Sequence, residues 1–240
     1  MKFGHLLDIG ETTPSIFLKL SKRARLYNFL VLYNACVDKN FQIPIKYALS
    51  NSIKEAFSAY IDDLLSNTTL KKNALKEFCI TSNKLIISYK NQNFSNIKKI
   101  AKEPKYKVAK LIKMLYTNGE FELIFDANFM FSQFVYDKIS KKHFDKNVYF
   151  QDSAIIIESG NMKQKLCIIP SFKEFNIENS NQLAREIEYA TQFLQNEKCE
   201  SVYVVTPRHS NFKRHIEVRH CNFADKCIKI VPYTISNKIF

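Results

Sequence analysis

The chain has 240 residues, 46% of them hydrophobic, with 20 Phe and 12 Tyr but only 4 Gly and 6 Pro. That composition excludes a disordered or linker-rich protein and leaves room for one large core or two small ones. Lys and Arg number 36 against 23 acidic residues, a formal net charge of +13; such a balance favours polyanionic partners, because each phosphate neutralised by Lys or Arg releases counterions.

An anionic membrane surface is the other polyanion to weigh, and the chain carries no basic amphipathic anchor for it. The opening residues Met1-Lys2-Phe3-Gly4-His5 lack the apolar core of a signal peptide. The apolar run Phe29-Leu30-Val31-Leu32-Tyr33 is far too short to span a bilayer. A cytoplasmic protein is expected. Six cysteines (Cys36, Cys79, Cys167, Cys199, Cys221, Cys227) are scattered without a CxxC pair and read as small hydrophobes.

In chain order, Thr13-Pro14 opens a helix expected to run to about residue 35, Thr as cap and Pro in the first turn. A second helix is expected over 45–65, with Phe57, Tyr60, Ile61 and Leu64 on its apolar face, and a short third over 68–76. Segment 79–89, with Ile80, Thr81, Ile86, Ile87 and Tyr89, reads as a strand. Residues 95–102 form a capped helical turn or two, interrupted by Pro104. Val108, Leu111, Ile112 and Leu115 then mark an amphipathic helix that stops near Asn118-Gly119. A strand follows over 121–125.

Beyond it, helix and strand patterns alternate. A helix over 128–139 precedes short strands over 148–150 and 154–157; the turn at 159–161 joins the second of these to a strand over 166–169, as in a hairpin. A helix over 181–194, a buried strand over 202–205 and a last apolar run at 227–231 complete the chain. The expected fold class is α/β (α+β). A mostly helical region is expected over 1–126, with the segment 95–126 as its last part, and an α/β domain with a mixed sheet over 127–240.

The stretch Ile100-Ala101, Val108, Leu111-Ile112, Leu115, Gly119 and Phe121 resembles a winged helix-turn-helix, with a turn about three residues shorter than is common in that family. The resemblance implies a recognition helix for the DNA major groove whose exposed side chains are Lys105, Lys107, Lys110 and Lys113. Seven Lys and one acid lie between Lys98 and Lys113, which suits phosphate contacts.

The order helix, three strands, helix, strand over about 127–206 resembles the restriction-endonuclease-like nucleases. That family places an Asp at its second strand and an acid-x-Lys at its third, the carboxylates holding a divalent metal and the Lys orienting the attacking water. Here the resemblance implies Asp152 and Lys173 as catalytic residues. The acid of the tripeptide is replaced, since it reads Ser171-Phe172-Lys173. Glu158 is the substitute carboxylate that the sequence offers, so the implied set is Asp152, Glu158 and Lys173, with Asp152 and Glu158 around a magnesium-type ion. Gln182 and Tyr189 on the following helix are similar in kind to residues that some members carry there.

The run 207–221 holds Arg208, Lys213, Arg214 and Arg219, three histidines (His209, His215, His220) and Phe212. It reads as a loop offering cations, proton-transfer groups and a stacking ring to a polynucleotide. His209, His215, His220, Cys221 and Cys227 are zinc-ligand types at spacings of no finger or knuckle. No phosphate-cradling Gly-rich loop and no GxSxG elbow is present. The expected function is nucleic-acid binding, DNA before RNA, with a nuclease-like domain that is catalytically complete or degenerate. The alternatives are a non-catalytic interaction or scaffolding protein and a metal-independent ribonuclease using His residues.

Overall fold

Residues 2–6, which the sequence reading leaves unassigned, form the first strand. The computed structural model describes residues 1–67, 77–158, 165–176, 178, 180–196, 199–219 and 226–236. The chain divides into two compact units, one made of Lys2–Pro14 and Leu20–Asp126, the other of Met1, Ser15–Lys19 and the described residues from Ala127 onward.

In the first unit, β1 (Lys2–Leu6), β2 (Gly10–Thr12) and β3 (Leu123–Asp126) form an antiparallel sheet in the order β2-β1-β3. Gly4 faces Ile124 in that register with φ +147, and a Cβ there would collide with the Leu123 carbonyl oxygen. Only glycine lets the two backbones approach this closely. Beside the sheet lie α1 (Lys22–Cys36), α2 (Ile53–Ser66), α3 (Glu77–Lys90), α4 (Phe94–Lys98) and α5 (Lys107–Leu115). Edge-to-face rings fill the core, Phe3 on Phe29, Tyr33 on Phe57 and Phe125, and Phe57 on Phe121.

Three expectations for this unit are corrected. The helix expected from Thr13 begins at Lys22, because the Ser21 hydroxyl accepts the Ala24 N–H at 3.2 Å; Ser15–Phe17 form only a 3-10 turn. The helix expected over 45–65 is split into a 3-10 turn at Ile45–Leu49 and α2, which Ser52 caps through the Glu55 N–H at 3.1 Å. Segment 79–89 is helix α3. Burial recurs at Thr81 and Ser82, Leu85 and Ile86, and Ser88, a helical period that outweighs the β-propensity of its Ile and Thr. The helix expected over 68–76 lies outside the described residues.

The second unit is a mixed α/β structure, as expected. Helix α6 (Ala127–Lys142) leads into β4 (Asn147–Gln151), β5 (Ala154–Glu158) and β6 (Lys165–Pro170), which are antiparallel neighbours. The turn expected at 159–161 lies outside the described residues, but the strands that flank it pair, Ile155 opposite Ile168. Helix α7 (Ala184–Asn196) carries the chain over to β7 (Cys199–Pro207), parallel to β6. Strand β8 (Ile216–Arg219) then pairs antiparallel with β9 (Cys227–Tyr233), itself parallel to β7. The six-stranded order is β4-β5-β6-β7-β9-β8, with β4 and β8 at the edges. Ile156, Cys167, Ile169, Val202, Val204 and Ile230 build the core against Leu183, Ala190 and Leu194 of the α7 region. Phe17, from the segment 15–19, packs edge-on against Phe172 with ring centroids 5.5 Å apart.

Candidate active site

Because β5 runs antiparallel to β6, the start of β5 and the end of β6 lie at one end of the sheet. It is also the carboxyl end of the parallel pair β6 and β7, where open α/β sheets place their ligands. Asp152 sits in the two-residue turn between β4 and β5 at φ 52, a left-handed conformation that Asp tolerates. At the end of β6, the Ser171 N–H donates to the Val205 carbonyl at 2.9 Å, and the Phe172 N–H to Asn128 Oδ1 at 2.7 Å. This backbone is held from both sides.

Glu186, in the first turn of α7, reaches the same place. The Ser171 hydroxyl donates to its Oε1 at 2.9 Å, and the Lys173 ammonium lies 2.8 Å from Oε1 and 3.0 Å from Oε2. Lys173 also donates to the Gln182 carbonyl at 3.3 Å. Only 15% of the Glu186 side chain is exposed, and the positive end of the helix favours its charge. Tyr189 stands three residues on, on the same helix face; burial first, and then the charge of Asp152, push its phenol above the usual value. Asp152, Ser171, Lys173, Glu186 and Tyr189 therefore share one neighbourhood.

The expected trio of Asp152, Glu158 and Lys173 does not form. Glu158 ends β5 and Asp152 precedes its start, so the strand separates them by roughly 20 Å at its ordinary rise. Ligands of a shared magnesium-type ion stand about 2.0–2.1 Å from it, so these two carboxylates do not fit one ion. Glu158 is instead held by the Tyr149 hydroxyl at 2.8 Å and the Lys165 ammonium at 3.1 Å, which keep its carboxyl below the ordinary range.

The residue missed by sequence reasoning is Glu186. A Glu in the first turn of the helix after β6 is the feature of the sequence that could have pointed to it. Among the described residues no group of three or more His, Cys, Asp or Glu is gathered to hold a metal. Magnesium, however, is usually held by only one or two carboxylates, completed by water and substrate phosphate. A carboxylate has about four lone-pair sites, and Ser171 and Lys173 leave Glu186 an acceptor position on Oε2. Asp152 and Glu186 fit such an ion in donor chemistry.

The expected nucleic-acid contacts divide. Lys105, Lys107 and Lys110 are exposed, Lys107 lying 5.6 Å from the centre of the Tyr60 ring. Lys113 is turned inward, donating to the Ala101 and Lys102 carbonyls at 2.8 and 3.1 Å and to Glu103 at 2.7 Å. It is a structural residue, contrary to expectation. Nor do residues 121–125 begin a wing: β3 pairs with β1, Lys2 opposite Asp126.

In the second unit Arg208, Lys213, Arg214 and His215 are exposed. His209 Nε2 instead lies 2.8 Å from the Phe175 carbonyl oxygen. Phe212, expected to offer a stacking surface, is buried edge-on against Phe175, because it fills the core under the loop. The Arg219 side chain, His220 and Cys221 lie outside the described residues, and with them part of the zinc-ligand set. Cys36, Cys79, Cys167, Cys199 and Cys227 are not in disulfides, and burial pushes the Cys36 thiol up to about 12. No described helix is long and apolar enough to cross a membrane.

No protein-family model matches the chain, and no curated protein matches it. Among solved structures it is similar to a refined half-complex from a tetradecameric assembly of Thermococcus gammatolerans McrB AAA+ hexamers with bound McrC. The identity is 11% and the TM-score 0.41, and the match covers 100% of this chain and 56% of that one.

Proposed function

We propose that the protein binds nucleic acid, DNA before RNA, and that its second unit is a nuclease-like domain in which Glu186 takes the place of the acid that Ser171 lacks. The observation that carries this reading is the Glu186 carboxylate, bonded by both Ser171 and Lys173 at the end of β6. The order α6-β4-β5-β6-α7-β7, with Asp152 and Lys173 at one end of the sheet, supports it. So does the net charge of +13. Asp152 and Glu186 would hold a magnesium-type ion, whose chemistry is to polarise a phosphoryl oxygen and lower the pKa of bound water. Lys173 would orient the attacking water, and Ser171 keeps Glu186 in line. Arg208, Lys213 and Arg214 would contact phosphates.

The test is Glu186→Gln beside Lys173→Ala, assayed for divalent-dependent cleavage of duplex, single strand and RNA. Calorimetry with magnesium and manganese runs in parallel. Glu186→Gln is expected to lose cleavage by about 100-fold or more, a scale set by loss of a charge-stabilising group, together with the heat of metal binding. Unchanged cleavage and heat would overturn the catalytic assignment. The Lys173–Glu186 ion pair favours a second reading, a non-catalytic nucleic-acid-binding or scaffolding module, in which the pair only braces the strand end. Wild type that binds DNA with strong salt dependence, yet neither cleaves it nor takes up metal, selects that reading.

A further inference from the structure

Beside Asp152 a shallow, open cleft of about 360 Å³ is lined by residues of α6, of β4 and its turn, and by Pro170. That volume falls within the range of small-molecule sites, about 300–1,000 Å³. Two aromatic rings face it although neither is buried: Phe129, 50% exposed, and Phe150, 37% exposed. Phe129, Gln133 and Tyr136 follow the i, i+4, i+7 spacing that puts residues on one helix face. Tyr136 stacks on Phe150 at 4.7 Å and 23°, which fixes the orientation of the Phe150 ring. Strand β4 is an edge strand, so the cleft opens sideways from the sheet.

The polar lining narrows the ligand further. Asp152 is the one ionisable side chain among the lining residues, and no Lys or Arg lines the cleft to pair with a phosphate. Gln133 carries a donor and an acceptor. Asn128 spends its oxygen on the Phe172 N–H and keeps its amide N–H groups as donors. Flat apolar rings, amides and one acceptor carboxylate suit a neutral heteroaromatic ring with exocyclic groups, which is a nucleobase. A cationic side chain from a protein would also suit rings and a carboxylate, but it would approach a chain of net charge +13. A base inside a duplex cannot present its face.

We propose that this cleft holds one unstacked nucleobase, so that the strand engaged at the end of β6 is single or locally opened. The inference rests on the nucleic-acid reading above and adds the class of substrate. Asp152 lines the cleft and stands at the same end of the sheet as Ser171, Lys173 and Glu186, so a base held there brings its own backbone to that end.

The test uses the full chain, a single-stranded oligonucleotide carrying 2-aminopurine, and the corresponding duplex. Anisotropy gives affinity and 2-aminopurine emission reports stacking. Phe129→Ala is expected to weaken single-strand binding by about 5-fold to about 100-fold, the range for one base–aromatic stack, and to abolish the quenching on binding. Its duplex affinity and salt slope should stay those of wild type, and Phe129→Trp should restore both single-strand signals. Because the Phe129 ring is half exposed, the variant's thermal melt should match wild type; a lowered melt transfers the same test to Gln133→Ala. Single-strand binding indifferent to both variants overturns the base cleft while leaving salt-dependent nucleic-acid binding in place. Loss of arginine-peptide binding in Phe129→Ala, with single-strand binding intact, assigns the cleft to a cationic side chain and likewise overturns it. Absence of salt-dependent binding to any nucleic acid removes the base cleft and the parent reading together.

Discussion

A carboxylate that accepts from a phenol and faces an ammonium resists protonation, and Glu158 is held in this way by Tyr149 and Lys165. With its folded pKa below the unfolded value, its contribution to stability is complete above about pH 4.3. That contribution is lost as pH falls through the lower folded value. Glu158→Gln is expected to be less stable than wild type at neutral pH and to lose less stability between pH 5 and pH 3, measured by urea unfolding at each pH. Equal slopes in that window would mean that the pair contributes nothing to folding. Lys113 makes the complementary case. Its side chain, 19% exposed, satisfies two carbonyls of the turn 101–103. Lys113→Ala should therefore cost about 1–2 kcal/mol, as for hydrogen bonds from a charged donor with some solvent screening. DNA affinity of the folded protein should not change, whereas a phosphate-contacting lysine would show the reverse in a paired melt and binding assay.

Among the elements, the pairing of β1 with β3 depends on a residue with no side chain. Gly4→Ala puts a methyl against the Leu123 carbonyl in a backbone region that alanine rarely adopts. It is expected to cost about 3 kcal/mol from overpacking and strain together, read as a lowered denaturant midpoint with an unchanged slope. The same glycine explains why this strand was illegible: within Lys2–Leu6 it breaks the alternation, and the partner strand comes more than a hundred residues later. Helix α3 was misread because Ile80, Thr81, Ile86 and Ile87 favour strands locally, while its burial against the rest of the unit follows a helical period. Helices α5, α6 and α7 were legible because their apolar positions keep that period. At the candidate site Asp152 and Lys173 could be read from their places beside predicted strands. Glu186 was signalled only as a Glu in the first turn of the helix after β6, because spacing alone does not say that this turn returns over the end of β6. Glu158 was nearest in sequence and lies at the wrong end of its strand.

Over the whole molecule, a charge of +13 has a measurable consequence if phosphate contacts dominate binding. Duplex affinity should fall steeply between 50 and 200 mM salt. Replacing Arg208, Lys213 and Arg214 together by Ala should reduce the slope of log affinity against log salt by up to about 2.7, three contacts at about 0.9 each. A slope unchanged in that variant would leave Lys105, Lys107 and Lys110 as the phosphate surface.

The course of the backbone through its two units sets an order of events during synthesis. Strand β1 is translated long before β3, the strand that pairs with it, and Phe17 long before Phe172, the ring on which it packs. Both early segments leave the ribosome before their partners exist, β1 waiting for residues 123–126 and Phe17 for residue 172. Contacts of such long sequence separation carry a large loop-closure entropy and form late. Folding is therefore ordered in two steps: β1 pairs once β3 has been made, and the segment 15–19 closes against the backbone beside Ser171 and Lys173 only after those residues exist. Premature chain release just past residue 126 would free a chain whose first strand is paired but whose segment 15–19 has nothing to settle on.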